Sequence, residues 1–216
     1  MQYFLRSKQI LVIAGVLSAV LALGQEPQTA SKGLPPRAAP GEYQAHAQAG
    51  TITIGAEFKG HSVPTPDAVY SNEDFVAVEV GLFGPPEARL KLSHDDFSLR
   101  IDGKKTVLTA LPYAAVFRSL KDPEWIPPGG TGSKSKSSVN TGDKSSDGPP
   151  PPAHMPIELE RAMDQRVQKS VLAEGERVLP EAGLIFFEHR GKTEKIRSLE
   201  LIYTGPAGKA TLALQP

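Results

Sequence analysis

The chain contains no cysteine among its 216 residues. Disulfide bonds, cysteine nucleophiles and the thioether linkage of lipoproteins are therefore all excluded. Many exported proteins depend on disulfides, so this chain, if exported, must be held together by its hydrophobic core alone.

Residues that carry catalysis or bind metals are also scarce. The five histidines include no His-Glu-x-x-His pair, and no Gly-x-Ser-x-Gly elbow occurs. The glycine-rich stretch 129–134 lacks the spacing of a phosphate-binding loop, and no strand leads into it. A hydrolase therefore ranks last among the possible functions, and we expect no enzyme activity and no cofactor.

The chain has no excess of positive charge. It carries 24 basic and 24 acidic residues. The two basic residues of the first 24 positions have no acidic neighbour there, which leaves a small acidic excess in the rest. This balance excludes a basic surface for nucleic acid or for anionic lipid.

The N-terminus has the pattern of a secretory signal peptide over residues 1–24. Arg6 and Lys8 precede an apolar run from Ile10 to Leu23, and small residues at Ala22 and Gly24 form a cleavage site. The run is short for a transmembrane helix, which needs about 17–25 apolar residues. We expect a periplasmic or extracellular protein, whose contact with a membrane is limited to this segment if it is kept as an anchor.

Proline and glycine are abundant, at 20 residues each, and they concentrate in two segments. Residues 25–49 have no hydrophobic period and are predicted to be a flexible spacer. Residues 127–156 combine Ser, Lys, Gly and Asp with a proline run at 149–152, and they are predicted to be disordered. The proline run is either a stiff spacer or a ligand for a groove that accepts polyproline helices.

The other segments alternate between apolar and polar residues, which predicts half-buried strands. Asp102-Gly103 lies between two alternating runs and predicts a hairpin, because both positions favour a positive φ. The strand predictions are 52–58, 75–83, 90–92, 97–101, 104–108, 184–188, 198–204 and 210–214.

A helix is predicted over 157–174, with a stripe that includes Leu159, Met163 and Val167. The piece from 157 to 216 is too small to be stable alone. We therefore expect one domain over 50–216, an antiparallel β-sandwich interrupted by the disordered tract and this helix.

Three motifs resemble a known pattern: the polar-then-Phe strand at 93–99, the turn at Asp102-Gly103, and the Gly-x-hydrophobic-Phe strand at 182–187. The pattern is similar to that of uncharacterised extracytoplasmic bacterial domains with an immunoglobulin-like sandwich fold. The resemblance covers about 50–110 and 176–214. It implies the immunoglobulin-like fold, and that family has no established activity to transfer.

The function favoured by these features is an exported, non-catalytic binding or accessory module of a bacterial cell envelope. Its partner would be an envelope protein or a surface ligand, with Trp125 as a possible contact residue. The alternative is a soft-metal carrier that binds copper through His154 and Met155. Because Met163 lies on the apolar helix stripe, we favour a core role for it and expect no metal site. The turn at 94–96 could supply metal ligands, but a solvated turn is the simpler interpretation.

Export predicts a mature N-terminus at Gln25 or within a few residues of it, because the small-residue site ends at Gly24. N-terminal sequencing of the exported protein is the measurement. Retention of Met1 would instead identify the segment as an anchor.

Overall fold

We describe the fold from a computed structural model that covers residues 33–122, Trp125 and residues 154–216. All of these residues belong to one compact unit of the chain. The predicted signal peptide and most of the predicted disordered tract lie outside them. Within the described ranges, no helix is long and apolar enough to cross a bilayer.

The protein is mainly β, with few helices. The described helices are α1 (Tyr113–Phe117) and α2 (Ile157–Ser170). The described strands are β1 (Ala45–Ala49), β2 (Ile52–Gly60), β3 (Ser62–Pro64), β4 (Val69–Asn72), β5 (Phe75–Phe83), β6 (Arg89–Leu92), β7 (Phe97–Ile101), β8 (Leu108–Leu111), β9 (Leu120–Lys121), β10 (Gly175–Val178), β11 (Glu181–Glu188), β12 (Leu199–Gly205) and β13 (Gly208–Leu214).

Eight strands form one large antiparallel sheet in the order β1-β2-β5-β11-β8-β7-β12-β13. The sheet is barrel-like, and its outer strands β1 and β13 lie side by side. No ladder joins these two strands in the described fold, but Gln44 Nε2 donates a hydrogen bond to Gln215 O over 2.9 Å. The immunoglobulin-like sandwich predicted from the sequence is not confirmed.

The hairpin predicted at Asp102-Gly103 is confirmed only in part: the next strand does pair with β7, but residues 104–107 are irregular, so the two strands are joined by a longer loop than predicted. Asp102 and Gly103 have φ values of 53° and 63°, as the turn chemistry requires. β7 pairs with β8, which starts at Leu108 rather than at Lys104. The side chain of Asp102 also accepts from Arg197 N over 2.7 Å and so ties the turn to the start of β12.

The main core fills the interior of the sheet. Alternate residues of β5, from Val76 to Leu82, point into it and are fully buried, as the sequence pattern predicts. Ile185 and Phe187 of β11 join the same core from the neighbouring strand. Burial of each such side chain contributes about 1.5–3 kcal/mol to folding.

The outer face of β11 is buried as well, under α2. Leu184 and Phe186 pack in a second core with Met163 and Val167. Strands β3, β4 and β9 form a small sheet that also contributes to this second core. The prediction that Leu159 belongs to the buried stripe is wrong, because its exposed fraction is 49%.

Helix α2 ends at Ser170, four residues before the predicted end. The chain becomes extended at Val171, which forms a parallel bridge to Leu184. Leu172 N donates to Leu184 O over 3.0 Å. This close crossing requires a glycine, because a Cβ at Gly183 would lie 2.3 Å from Leu172 Cα.

The prediction of a flexible spacer over 25–49 is wrong for its described part, residues 33–49. Gly33 N donates to Lys169 O at the end of α2 over 2.8 Å, and Leu34 bridges to Ala182. Tyr43 is 5% exposed, and β1 pairs along its length with β2. The segment escapes detection because the alternate residues of β1 that face the core are alanines, which give a weak hydrophobic period.

Two aspartate substitutions in α2 distinguish its buried face from its exposed end. Val167→Asp places an unpaired charge at a fully buried position and is expected to lower the free energy of unfolding by about 3–5 kcal/mol. Leu159→Asp changes an exposed position near the helix N-terminus and is expected to change it by less than about 0.5 kcal/mol. Denaturant melts of the two variants provide the comparison. Equal effects would mean that α2 is not packed through Val167.

Candidate functional site

A cleft of about 320 Å³ lies where the chain leaves α2 and crosses the sheet. Its size is at the lower end of the range typical of small-molecule sites. Its apolar lining includes Leu111, Pro112, Val171, Leu172, Leu184 and Phe186. Its polar lining is formed by His94, Tyr113, Gln168, Glu174 and Arg177.

One wall of the cleft contains a histidine–carboxylate pair. His94 Nδ1 contacts Glu174 Oε1, and His94 N donates to the same oxygen over 3.2 Å. Burial opposes ionisation of Glu174, but the hydrogen bonds from His94 outweigh it and lower the pKa of this carboxyl group. Glu174 is therefore ionised at neutral pH, and it fixes the orientation of the His94 ring.

The predicted turn at 94–96 is a single 3-10 turn, His94–Asp96. Ser93 Oγ caps it by accepting from Asp95 N over 3.2 Å. His94 Nε2 lies 3.4 Å from Asp95 Oδ1. Both ring nitrogens of His94 therefore face carboxylates.

Tyr113 connects the two helices at the cleft. Its hydroxyl donates to Asp164 Oδ1 over 2.7 Å, which links α1 to α2. Burial and then the nearby Asp164 carboxylate raise the pKa of Tyr113 far above its ordinary value. The phenol is thus a neutral donor over the whole physiological range of pH.

Of the described residues that line the cleft, Arg177 alone carries a permanent positive charge. The side chain is half-buried, and its Nε is fully buried with no hydrogen-bond partner in the described ranges. Glu181 is the carboxylate on which its charge acts: burial raises the pKa of Glu181, and the charge of Arg177 partly offsets this effect.

A second group of charges lies on the outer face of β2 and β5, and we call it the four-charge cluster: Arg37, Glu57, Lys59 and Glu79. Arg37 Nη2 and Lys59 Nζ lie 3.0 Å and 2.9 Å from the same oxygen of Glu79. Arg37 also contacts Glu57, and Lys59 Nζ lies 2.7 Å from Glu57 Oε1. Two cations and two anions satisfy one another, so this cluster stabilises the fold and leaves no charge for a ligand.

Tyr43 packs between the four-charge cluster and the sheet. The guanidinium carbon of Arg37 lies 4.4 Å from the centre of its ring. The ring covers two glycines that face each other across β2 and β5, since a Cβ at Gly55 or Gly81 would lie 2.5 Å or 2.3 Å from it. An aromatic side chain that covers paired glycines restores the packing that they lack.

The structure does not bring the residues proposed from the sequence into one site. Trp125 is half-buried, and its backbone N–H donates a hydrogen bond to Asp122 O over 3.2 Å. His154 is exposed just before α2, Met155 is half-buried beside it, and Met163 is 4% exposed in the second core. No group of three or more His, Asp or Glu side chains suited to a metal occurs in the described part of the chain.

Of the cleft's polar residues, the sequence indicates only His94 in advance. Glu174 is 80 positions away from His94, and Tyr113 and Arg177 carry no motif. The one available signal is the Glu-Gly-Glu-Arg stretch at 174–177, a polar turn directly after the helix pattern.

Comparison with known protein families, curated proteins and solved structures found no match to this chain. The function is therefore inferred from the chain's own residues and geometry.

The four-charge cluster predicts an acid-dependent loss of stability. The favourable contacts of Glu57 with Lys59 and Arg37 outweigh burial and lower its pKa below the ordinary value of 4.5. The contribution of these contacts to the free energy of unfolding is therefore complete at pH values above 4.5, and it is lost as the pH falls through the lowered pKa of Glu57. Arg37→Gln is expected to lower the free energy of unfolding by about 1.5–3 kcal/mol at pH 7, and by less in acid.

The matched control is Arg100→Gln, which removes an ion pair with Glu200 whose two side chains are 36% and 38% exposed. Such a pair contributes about 0–1 kcal/mol. Urea melts of both variants and of the unaltered protein, at pH 7 and at pH 3, give the change in the free energy of unfolding for each variant at each pH. If the two variants behave alike at both pH values, the four-charge cluster does not stabilise the protein.

Proposed function

We propose that this chain is an exported, non-catalytic binding module that holds a small amphipathic molecule in its cleft. The observation that carries the proposal is the lining itself. Buried aliphatic and aromatic side chains from β8, β11 and the 171–173 segment lie beside a few fixed polar groups. This combination is typical of ligand sites in proteins.

Binding is favoured over catalysis because the histidine and the tyrosine of the cleft are already engaged. His94 has a carboxylate beside each ring nitrogen, but no serine or threonine hydroxyl that it could activate is among the described residues of the cleft. Tyr113 donates a hydrogen bond to Asp164 and has a raised pKa, so it stays protonated and is a poor nucleophile. Among the described residues that line the cleft there is no serine, threonine or lysine.

The cellular location that we propose for the protein, outside the cytoplasm, depends on the signal-peptide pattern over residues 1–24. We place the module in the envelope of a bacterium, where it serves an envelope protein or captures a surface ligand. The proposed kinship with extracytoplasmic immunoglobulin-like domains rests on the motifs at 93–99 and 182–187 alone. Copper carriage does not enter the proposal, because Met163 is committed to the second core.

Filling the cleft is expected to abolish binding of an apolar reporter. Gln168 is exposed on α2 and lines the cleft, so Gln168→Trp places an indole in the opening without disturbing a core. The reporter is 1-N-phenylnaphthylamine, an uncharged dye that fluoresces in apolar sites. We expect saturable enhancement with the unaltered protein and at least a tenfold weaker affinity with the variant.

The matched control is Gln165→Trp, on the same helix at an exposed position that does not line the cleft. It is expected to bind the dye as the unaltered protein does. Thermal melts establish that both variants are folded. If the dye does not bind, or if Gln168→Trp leaves its affinity unchanged, the cleft is not the binding site.

A further inference from the structure

The environment of Arg177 indicates what the cleft binds. Arg177 lies on β10, which pairs only with β6 among the described strands. Arg177 is one of the residues that line the cleft. Its Nε is buried and makes no hydrogen bond to any described residue.

An unsatisfied donor of this kind is unusual. A guanidinium group stays charged at any pH that a protein experiences, and a donor of that group that is buried without a partner costs free energy. Elsewhere in this protein, partly buried arginines are satisfied: Arg37 contacts two carboxylates and Arg100 contacts one. Arg177 forms no ion pair at contact distance in the described ranges, and it acts on Glu181 only through its charge.

The charges of the cleft favour an anion with a single negative charge. Glu174 is ionised and lines the same cleft, so a dianion such as a phosphate monoester would meet repulsion as well as attraction. A carboxylate has one charge, and its two oxygens match the fork of donors on a guanidinium group.

The apolar lining accounts for the rest of the molecule. Leu111, Pro112 and Val171 line the cleft without being fully buried, so they offer a surface to an aliphatic or aromatic tail. A fully hydrophilic anion would leave this surface in contact with water, whereas an amphipathic one covers it.

We propose that the cleft binds small organic carboxylates that carry an apolar tail, with the carboxylate paired to Arg177. This inference rests on the proposed binding function and adds the chemical class of the ligand to it. Arg177 acts here as a specificity-determining residue: it selects the charged head, while the apolar lining accepts the tail.

The test compares a carboxylate with its neutral amide. Calorimetry with 4-phenylbutyrate and 4-phenylbutyramide measures the preference for the charged head directly. We expect the unaltered protein to bind the acid at least tenfold more tightly than the amide. Arg177→Gln is expected to bind both with nearly equal affinity, since it keeps a polar side chain and loses the charge.

Arg161→Gln is the charge-matched control, because Arg161 is exposed on α2 and does not line the cleft. It is expected to keep the full preference for the acid. A second readout is the melting temperature: 4-phenylbutyrate should raise that of the unaltered protein and of Arg161→Gln, but not that of Arg177→Gln. Arg177→Met provides the same comparison if Arg177→Gln does not fold.

The outcomes separate this inference from the proposed function. If 1-N-phenylnaphthylamine binds in the cleft but acid and amide bind equally, the binding function stands and the carboxylate inference is wrong. If 3-phenylpropyl phosphate binds more tightly than 4-phenylbutyrate, the site is a phosphate site instead. If neither the acid nor the amide binds, the carboxylate inference is overturned, and failure of the dye as well overturns the binding function.

Discussion

The antiparallel pairing of β5 with β11 is the interaction on which the rest of the structure depends. It runs from Phe75 opposite Glu188 to Leu82 opposite Glu181 and joins segments about 100 residues apart in the chain. Both faces of β11 are buried, one in the main core and one under α2. A slip of one residue would exchange these faces. It would also remove Leu184 and Phe186 from the cleft, so the site depends on this register.

The sequence predicts the strands that alternate large apolar residues, because burial on one face of a sheet requires that period. β5 and β12 are examples. β1 escapes this criterion since Ala45, Ala47 and Ala49 are too small to stand out. Alternation also does not identify what covers the buried face. A sandwich and a barrel-like sheet bury the same residues, which is why the predicted sandwich and the observed sheet share strands and differ in closure.

The cleft was beyond prediction for a different reason. His94 and Glu174 meet only because β6 pairs with β10, and that pairing joins parts of the chain more than 80 positions apart. Single residues with no motif have no signal before such a pairing is known. The four-charge cluster shows the same limitation: Arg37 lies in a segment without periodicity, yet it contacts carboxylates on two central strands. The two groups of charges differ in one respect. The charges of the four-charge cluster satisfy one another, which is typical of a stabilising role, whereas the cleft contains Arg177, whose Nε has no hydrogen-bond partner among the described residues.

The meeting of β1 and β13 without a ladder has a consequence for how this fold can change during evolution. In a fully closed barrel, the stagger of every strand is fixed by the hydrogen bonds around the ring, and the stagger sets the diameter. Here the ring is interrupted at one place, where the contact includes the side chain of Gln44 and the backbone of Gln215. Two residues inserted into or deleted from the β1–β2 hairpin would move β1 along β13, keep Ala49 on the inner face, and leave the pairing of the strands from β5 to β12 unchanged. Length variation in steps of two is therefore expected to be tolerated at this interruption, while the cleft on the β11 side keeps its geometry.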